Sequence, residues 1–403
     1  MNLLATSRSR RLLFALLYLC EGAPIGFLWG ALPVLLAERG VPDAEVTSLL
    51  ALVVLPWSLK VFLAPLVDLW QRPHFTLRGW IAAAQLGMVA TLVPLLGADL
   101  PPTSVLTPFL MLHACAAALQ DVAIDNLAIA STAPAERGRT TAAMQAGLLA
   151  GRFLFGAVAL WISATLGARV LALVLVLLLA AGIGLAFLYS PPPVAAERGG
   201  VGFGRALRVS LGRRSVWAAV LFAAVGGTAY EATAGVARVY LSGRGFGAGE
   251  IATRFGVPTL FLMAAGAWVG GVLADRRGRV RATVWAGLAV AATVGAVAAA
   301  ARVESSTPVL VALLVLHAAI GMFTAGSYAL FMDLTDPRLA ATQFSAFMAA
   351  TNVCESWSVA LCGQWAADSG YPATFARFAL LGLLGLLPLW WLRRLRVDRG
   401  RDS

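Results

Sequence analysis

The stretch Gln120-Asp121-Val122-Ala123-Ile124-Asp125-Asn126 places two carboxylates in a run that otherwise reads as a buried helix. Spaced four apart, Asp121 and Asp125 fall on one helix face. A polar hairpin follows, Ser131-Thr132-Ala133-Pro134-Ala135-Glu136-Arg137-Gly138-Arg139, and the next apolar run carries Arg152 in its interior. Ionised groups in so apolar a setting need partners, water or a function. By helical rise Asp121 lies roughly 15 Å and Arg152 roughly 20 Å from the hairpin, so the two can meet. Two readings are open: a fixed ion pair tying two helices together, and a role in handling substrate or protons.

Other charges interrupt apolar runs in the same way. Glu21 and Lys60 lie at comparable depth, roughly 12–15 Å from the ends of their runs, which favours a Glu21–Lys60 pair. Lys60 is the single lysine in a chain with 31 basic residues. Glu231 and Arg238 are seven apart, two turns on one face, and Glu355 stands where the other half of the chain has Arg152. Any of Glu21, Asp121, Asp125, Glu231 or Glu355 can carry a coupling proton, with Asp121 and Asp125 the first choices and Glu21 next. Phe27, Trp29, Tyr230, Tyr328 and Trp357 are able to stack a flat ligand, although packing or lipid contact explains each singly. His113 and His317 read as satisfied buried histidines. The four cysteines fall inside apolar runs without a CxxC pair, so neither a disulfide framework nor a metal site is expected, and no cofactor motif is present.

The elements that must position these residues are membrane helices. The chain has 403 residues, 60% of them hydrophobic and 13% charged, with a mean hydropathy of +0.81. Apolar runs of about 20 residues recur from end to end, each long enough to cross a bilayer. Twelve spans are expected, at 12–37, 45–67, 79–97, 104–130, 140–165, 168–189, 215–240, 250–273, 281–301, 307–332, 341–366 and 372–392. The first, preceded by Arg8, Arg10 and Arg11, runs too far to be a simple cleaved signal and reads as an uncleaved helix. Of the 31 Lys and Arg, 22 fall in the termini and the even-numbered loops, which places both termini in the cytoplasm. That distribution accounts for the net charge of +11 without a nucleic-acid partner.

The chain divides into residues 1–189, a basic linker at 190–214, and residues 215–403. The linker opens with Pro191-Pro192-Pro193 and carries Arg198, Arg205, Arg208, Arg213 and Arg214; its residues 203–213 fit a short amphipathic helix on the inner leaflet. The halves repeat. At an offset of 205, Gly22, Gly30, Val34, Leu36, Arg39, Gly40 and Glu45 match Gly227, Gly235, Val239, Leu241, Arg244, Gly245 and Glu250. An even number of spans per half makes the repeats parallel, so the expected fold is all-α, with twelve transmembrane helices in two pseudo-symmetric six-helix bundles, the major facilitator plan. Pro24 with Gly22, Gly26 and Gly30 in span 1, and Gly226, Gly227 and Gly235 in span 7, either let helices bend or let them pack closely.

The loop Gly271-Val272-Leu273-Ala274-Asp275-Arg276-Arg277-Gly278-Arg279 closely resembles the major facilitator signature Gly-x-x-x-Asp-Arg-x-Gly-Arg. Ala64-Pro65-Leu66-Val67-Asp68-Leu69-Trp70 is its degraded first-half copy. The resemblance implies that Asp275, with Arg276 and Arg279, and Asp68 clamp a cytoplasmic gate in one state. A narrower resemblance rests on Glu21-Gly22-Ala23-Pro24, Pro56-Trp57-Ser58-Leu59-Lys60, Gln120-Asp121 with Asp125, and Pro134-Ala135-Glu136-Arg137-Gly138 before Arg152. Together these look like the AmpG-type permeases, which include muropeptide importers, and their siderophore-importing and acetyl-CoA-transporting relatives. Twelve helices and the continuation Asn126-Leu127-Ala128-Ile129 lean toward the siderophore-type branch.

That resemblance implies a monomeric permease of the bacterial inner membrane, importing a polar or amphiphilic solute by alternating access and coupled to protons. Proton-antiport efflux of drugs or metabolites is the alternative. An enzyme is disfavoured, because no HExxH, GxSxG or phosphate-loop motif accompanies the acid pair.

Overall fold

The computed structural model describes residues 2–72, 74–97, 101–192 and 202–399. Pro193 and Arg198 of the linker, and the end of the basic tail from residue 400, lie outside these described residues.

Among the described residues, eleven helical stretches are long and apolar enough to cross a membrane. In chain order the first ten are α1 Ser7–Ala37, α2 Ala44–Leu69, α3 Leu77–Leu96, α4 Thr103–Ser131, α5 Pro134–Leu166, α6 Ala168–Leu188, α7 Arg214–Gly243, α8 Ile251–Arg277, α9 Arg279–Ala300 and α10 Thr307–Leu334. The last, Pro337–Leu395, is two helices run together. Gly370 breaks it with φ 76° and ψ 159°, a left-handed conformation that glycine adopts without a Cβ penalty, so it divides into α11 (337–369) and α12 (371–395). Among the described residues this makes twelve apolar helices, the number the hydropathy pattern predicts. The basic linker contains the short helix Phe203–Leu211, within the stretch expected to be amphipathic.

Contacts divide the chain into two compact units. Unit 1 comprises residues 1–132, 143–203 and 337–345; unit 2 comprises 133–142, 204–336 and 346–403. Each therefore takes most of one sequence half and one short segment from the other.

In unit 1, Thr6 caps α1 reciprocally with Ser9, its Oγ1 accepting the Ser9 amide at 3.2 Å. The start of the chain and the end of α6 meet: the Leu3 amide donates to the Leu188 carbonyl at 2.9 Å, and the Ser190 amide to Asn2 Oδ1 at 3.2 Å. Six crossings thus return the chain to its starting side. The unit's core draws Phe27, Leu49, Met88, Leu110, Phe155 and Leu175 from all six helices.

Among lipids there is little hydrophobic drive to join helices, so close packing over small residues has to do it. Helices α1 and α5 meet through glycine. A Cβ on Gly22 would strike the Leu148 carbonyl, one on Gly26 would lie 2.8 Å from Arg152 Cα, and one on Gly151 would lie 2.6 Å from the Ala23 nitrogen. Close packing is therefore what these glycines do. The two helices also each carry a π-helical turn, Phe27–Ala31 and Leu154–Val158, and these turns pack together.

In unit 2, Phe222, Phe323, Phe331 and Phe347 form a ring-on-ring core, with Phe331 and Phe347 stacked at 5.1 Å. The Arg244 guanidinium ties α7 to the α9–α10 loop by donating to the carbonyls of Val303, Glu304 and Ser305 at 2.5, 2.9 and 3.2 Å.

Candidate functional site

Three helices of unit 1 bring ionisable side chains together. Helix α2 contains Pro56 and loses helical geometry at Leu59 (φ −95°, ψ 4°), so Lys60 opens a new helical segment just past a break. Helix α4 presents Asp121 and Asp125 one turn apart. Helix α1 presents Tyr18 and Glu21 on its own face, three residues apart.

The Lys60 ammonium pairs with Asp121 Oδ2. The Tyr18 hydroxyl donates to Asp125 Oδ1 at 2.5 Å and lies 3.5 Å from Asp121 Oδ1, so it spans both acids. Glu21 has Asp121, Asp125 and Lys60 as its charged neighbours, and its Oε2 has no hydrogen-bond partner. Lys60 is 7% exposed, and Glu21, Asp121 and Asp125 are 4%, 5% and 3% exposed, so water does not screen them. Three carboxylates gather around one ammonium. The pairing expected from depth alone, Glu21 with Lys60, is corrected: Asp121 takes the lysine. Helical rise sets a residue's depth, but the rotation of each helix decides which acid faces it. Arg152 lies on α5 and is exposed.

Unit 2 carries a second polar feature, a cavity of about 260 Å³ including its open mouth. Rings of Phe222, Tyr230, Phe323 and Phe331 wall it, and Glu231, Ser327 and Thr351 supply oxygens. Glu355, itself exposed, is a charged neighbour of Glu231. Arg238 is exposed and makes no ion pair among the described residues.

The two loop acids act on helix starts. Asp68, at the end of α2, accepts the amides of Ala341 at 3.1 Å and Thr342 at 2.7 Å, the Thr342 hydroxyl at 2.7 Å and the Asn126 side chain at 3.2 Å. Asp275, at the end of α8, accepts the amides of Gly138 at 2.8 Å and Arg139 at 3.0 Å, and pairs with Arg139 at 2.8 Å and Arg279 at 3.4 Å. The first amides of any helix lack partners within it, so a carboxylate there satisfies orphan donors and complements the helix dipole. Arg279 also reaches Asp333 at 3.3 Å, which holds Arg137 at 2.9 Å. Arg276 is exposed and makes no ion pair among the described residues. Gly278 turns the chain from α8 into α9 at φ 87°, which explains the glycine in the Asp-Arg-Arg-Gly-Arg run.

This loop belongs to a long match: the sequence profile described as Major Facilitator Superfamily covers residues 14–358. The chain belongs to the major facilitator superfamily. It is a transporter by family, not an enzyme. Among solved structures this facilitator is similar to the proton:xylose symporter XylE bound to 6-bromo-6-deoxy-D-glucose, with 14% identity, 95% of each chain covered and a TM-score of 0.72. It is similar to the E. coli fucose:proton symporter FucP, with 13% identity, 95% of this chain and 98% of that one covered, and a TM-score of 0.75. A bacterial homologue of the iron transporter ferroportin in an outward-facing state matches at 14% identity, 96% and 99% coverage and a TM-score of 0.69. At these identities the likeness is one of fold.

The sequence pattern of this facilitator does not single out Tyr18, Asp333 or Thr342, and it shows Arg137 and Arg139 only as part of the polar hairpin. Tyr18 had a usable signal, since it sits three residues before Glu21 and so on the same helix face. The others sit in loops or at helix starts, where polar residues are ordinary. Of the expected aromatics, Tyr230 and Tyr328 line the cavity of unit 2, while Trp29 meets Trp57 edge-on at 5.4 Å. His113 is bonded to Thr91 at 3.1 Å and to the Met88 carbonyl at 3.2 Å, and His317 to the Leu313 carbonyl at 2.8 Å. Among the described residues no group of three or more His, Cys, Asp and Glu is arranged to hold a metal ion.

Proposed function

We propose that this facilitator is a secondary active permease of a bacterial inner membrane, with both termini in the cytoplasm, working by alternating access. It imports a polar or amphiphilic solute of the siderophore or muropeptide kind, together with protons. The observation that carries this reading is the buried group of Glu21, Asp121 and Asp125 around Lys60. One ammonium balances one carboxylate. The remaining acid charge has to be met by a proton or by part of a substrate, and both are what a symporter moves. A purely structural tie between helices needs only a single pair.

Three further points support the reading. The AmpG-type resemblance runs through the same residues. Two of the similar structures are named as proton symporters, which lends precedent for coupling on this fold. The capping acids suit a gate: Asp68, and Asp275 with Arg279, hold helix starts by bonds that break without any change in covalent structure.

The test is Asp121→Asn. A panel of siderophores and anhydro-muropeptides is first screened for thermal stabilisation of the purified protein. Uptake of the solute that stabilises is then measured in vesicles with an imposed pH gradient. Asp121→Asn is expected to insert and fold but to lose gradient-driven uptake. Full uptake by the variant removes the coupling role. Gradient-driven extrusion by the wild-type protein favours antiport efflux instead.

A further inference from the structure

Two of the hydroxyls that line the cavity of unit 2 have their protons engaged. Ser327 Oγ donates its proton to the Thr324 carbonyl at 3.2 Å, and Thr351 Oγ1 donates to the Met348 carbonyl at 2.7 Å. Serine and threonine hydroxyls used in this way keep lone pairs but have no proton left to offer. Glu231 adds a carboxylate, which accepts from Tyr230 and has acceptor sites to spare. No Lys, Arg or His is among the lining residues. The Ser327, Thr351 and Glu231 oxygens are therefore open to donors, and no basic side chain of the lining faces them.

The walls fit the same kind of guest. Tyr230 and Phe323 lie 5.5 Å apart, and Phe222 and Phe323 lie 5.8 Å apart, so a group of aromatic rings lines the same cavity as the carboxylate. Ring faces attract cations within about 6 Å, most strongly where water is excluded. The interior has room for a group the size of one water molecule. A primary ammonium has that size, one positive charge and three donors, matching one carboxylate and two hydroxyl oxygens. A carboxylate, sulfate or phosphate would meet these acceptors with no basic side chain opposite.

We propose that this cavity binds a primary ammonium group, and that the solute moved by the permease carries one. Only the second clause rests on the transport reading. The binding clause is tested on purified full-length protein in detergent, without a gradient. The probe is benzylammonium chloride, titrated by calorimetry against benzyl alcohol, its neutral counterpart of the same shape, and against sodium chloride at matched ionic strength.

Saturable binding of benzylammonium is expected, with no comparable binding of benzyl alcohol. Glu231→Gln should weaken it about tenfold or more, as loss of a charged hydrogen-bond partner does, and Ser327→Ala should weaken it several-fold. Equal binding of the alcohol overturns the proposal. So does unchanged affinity in Glu231→Gln, heat from sodium alone that abolishes the benzylammonium signal, or no saturation up to the solubility limit. If Glu231→Gln fails to fold, Ser327→Ala and the alcohol comparison decide. A protein that binds benzylammonium but fails the Asp121→Asn uptake test keeps the cavity and loses the coupling mechanism; the opposite pair of results does the reverse.

Discussion

Replacing Lys60 by methionine keeps a long unbranched side chain and removes the positive charge from a group of three acids. Both partners of the Lys60–Asp121 pair are nearly inaccessible, their side chains 9% and 7% exposed, so neither can turn to water when the other is lost. Breaking a buried pair on one side costs about 3–5 kcal/mol, whereas an exposed pair is worth about 0.2–1 kcal/mol. Asp121 in Lys60→Met would keep the Tyr18 hydroxyl at 3.5 Å, with Asp125 and Glu21 close by and no cation beside it. A loss of about 3 kcal/mol or more is therefore expected. Adding Asp121→Asn removes the stranded charge, and the double variant should be more stable than Lys60→Met alone. The coupling from the double-mutant cycle should be about 1–3 kcal/mol. Reversible unfolding in mixed micelles with rising SDS fraction, followed by circular dichroism, measures all four proteins. A cost below about 1 kcal/mol for Lys60→Met, or costs that simply add, would refute the buried cluster.

Further outcomes follow from the helix cap at Asp68 and from the glycine contacts. Asp68→Ala leaves the amides of Ala341 and Thr342 without their carboxylate, which should cost about 1–2 kcal/mol at that helix start. Hydrogen exchange read on a peptide spanning residues 340–345 should quicken, while one spanning the Asp275-capped residues 137–142 should not; an unchanged rate at 340–345 would count against the cap. Gly22→Val drives a side chain into the Leu148 carbonyl and should prevent a stable α1–α5 pairing, whereas Gly184→Ala meets nothing within 4 Å and should raise helix stability by up to about 1 kcal/mol. Melting temperatures of the two purified variants check both directions.

The membrane helices were legible because each is a long apolar run bounded by charge, and the repeat showed that two similar sets exist. The shared face of Asp121 and Asp125 was legible from their spacing, and Lys60 from being the lone lysine. What rise per residue does not encode is rotation, and so the lysine's partner was misassigned to Glu21. Tyr18 escaped notice because a tyrosine in an apolar run is indistinguishable from a packing residue until its hydroxyl is seen between two acids. Asp68 is a different case. Its first-half loop lacks the clustered bases of the Asp275 loop, yet Asp68 bonds mainly to backbone amides, which every sequence supplies at a helix start. Arg276 looked as telling as Arg279, but it lies on the outward side of the turn, where periodicity alone does not separate the two.

The glycine seam between α1 and α5 has a mechanical result. Main chains in direct touch have no cushion of side chains, so neither rod can roll about its own axis without colliding with the other. Any displacement of residues 147–156 must drag residues 15–30 along, and Tyr18 and Glu21 travel as cargo on that paired strut. Lys60 sits past the break at Leu59 on α2, and Asp121 and Asp125 sit on α4, so the cluster ties this strut to two further helices.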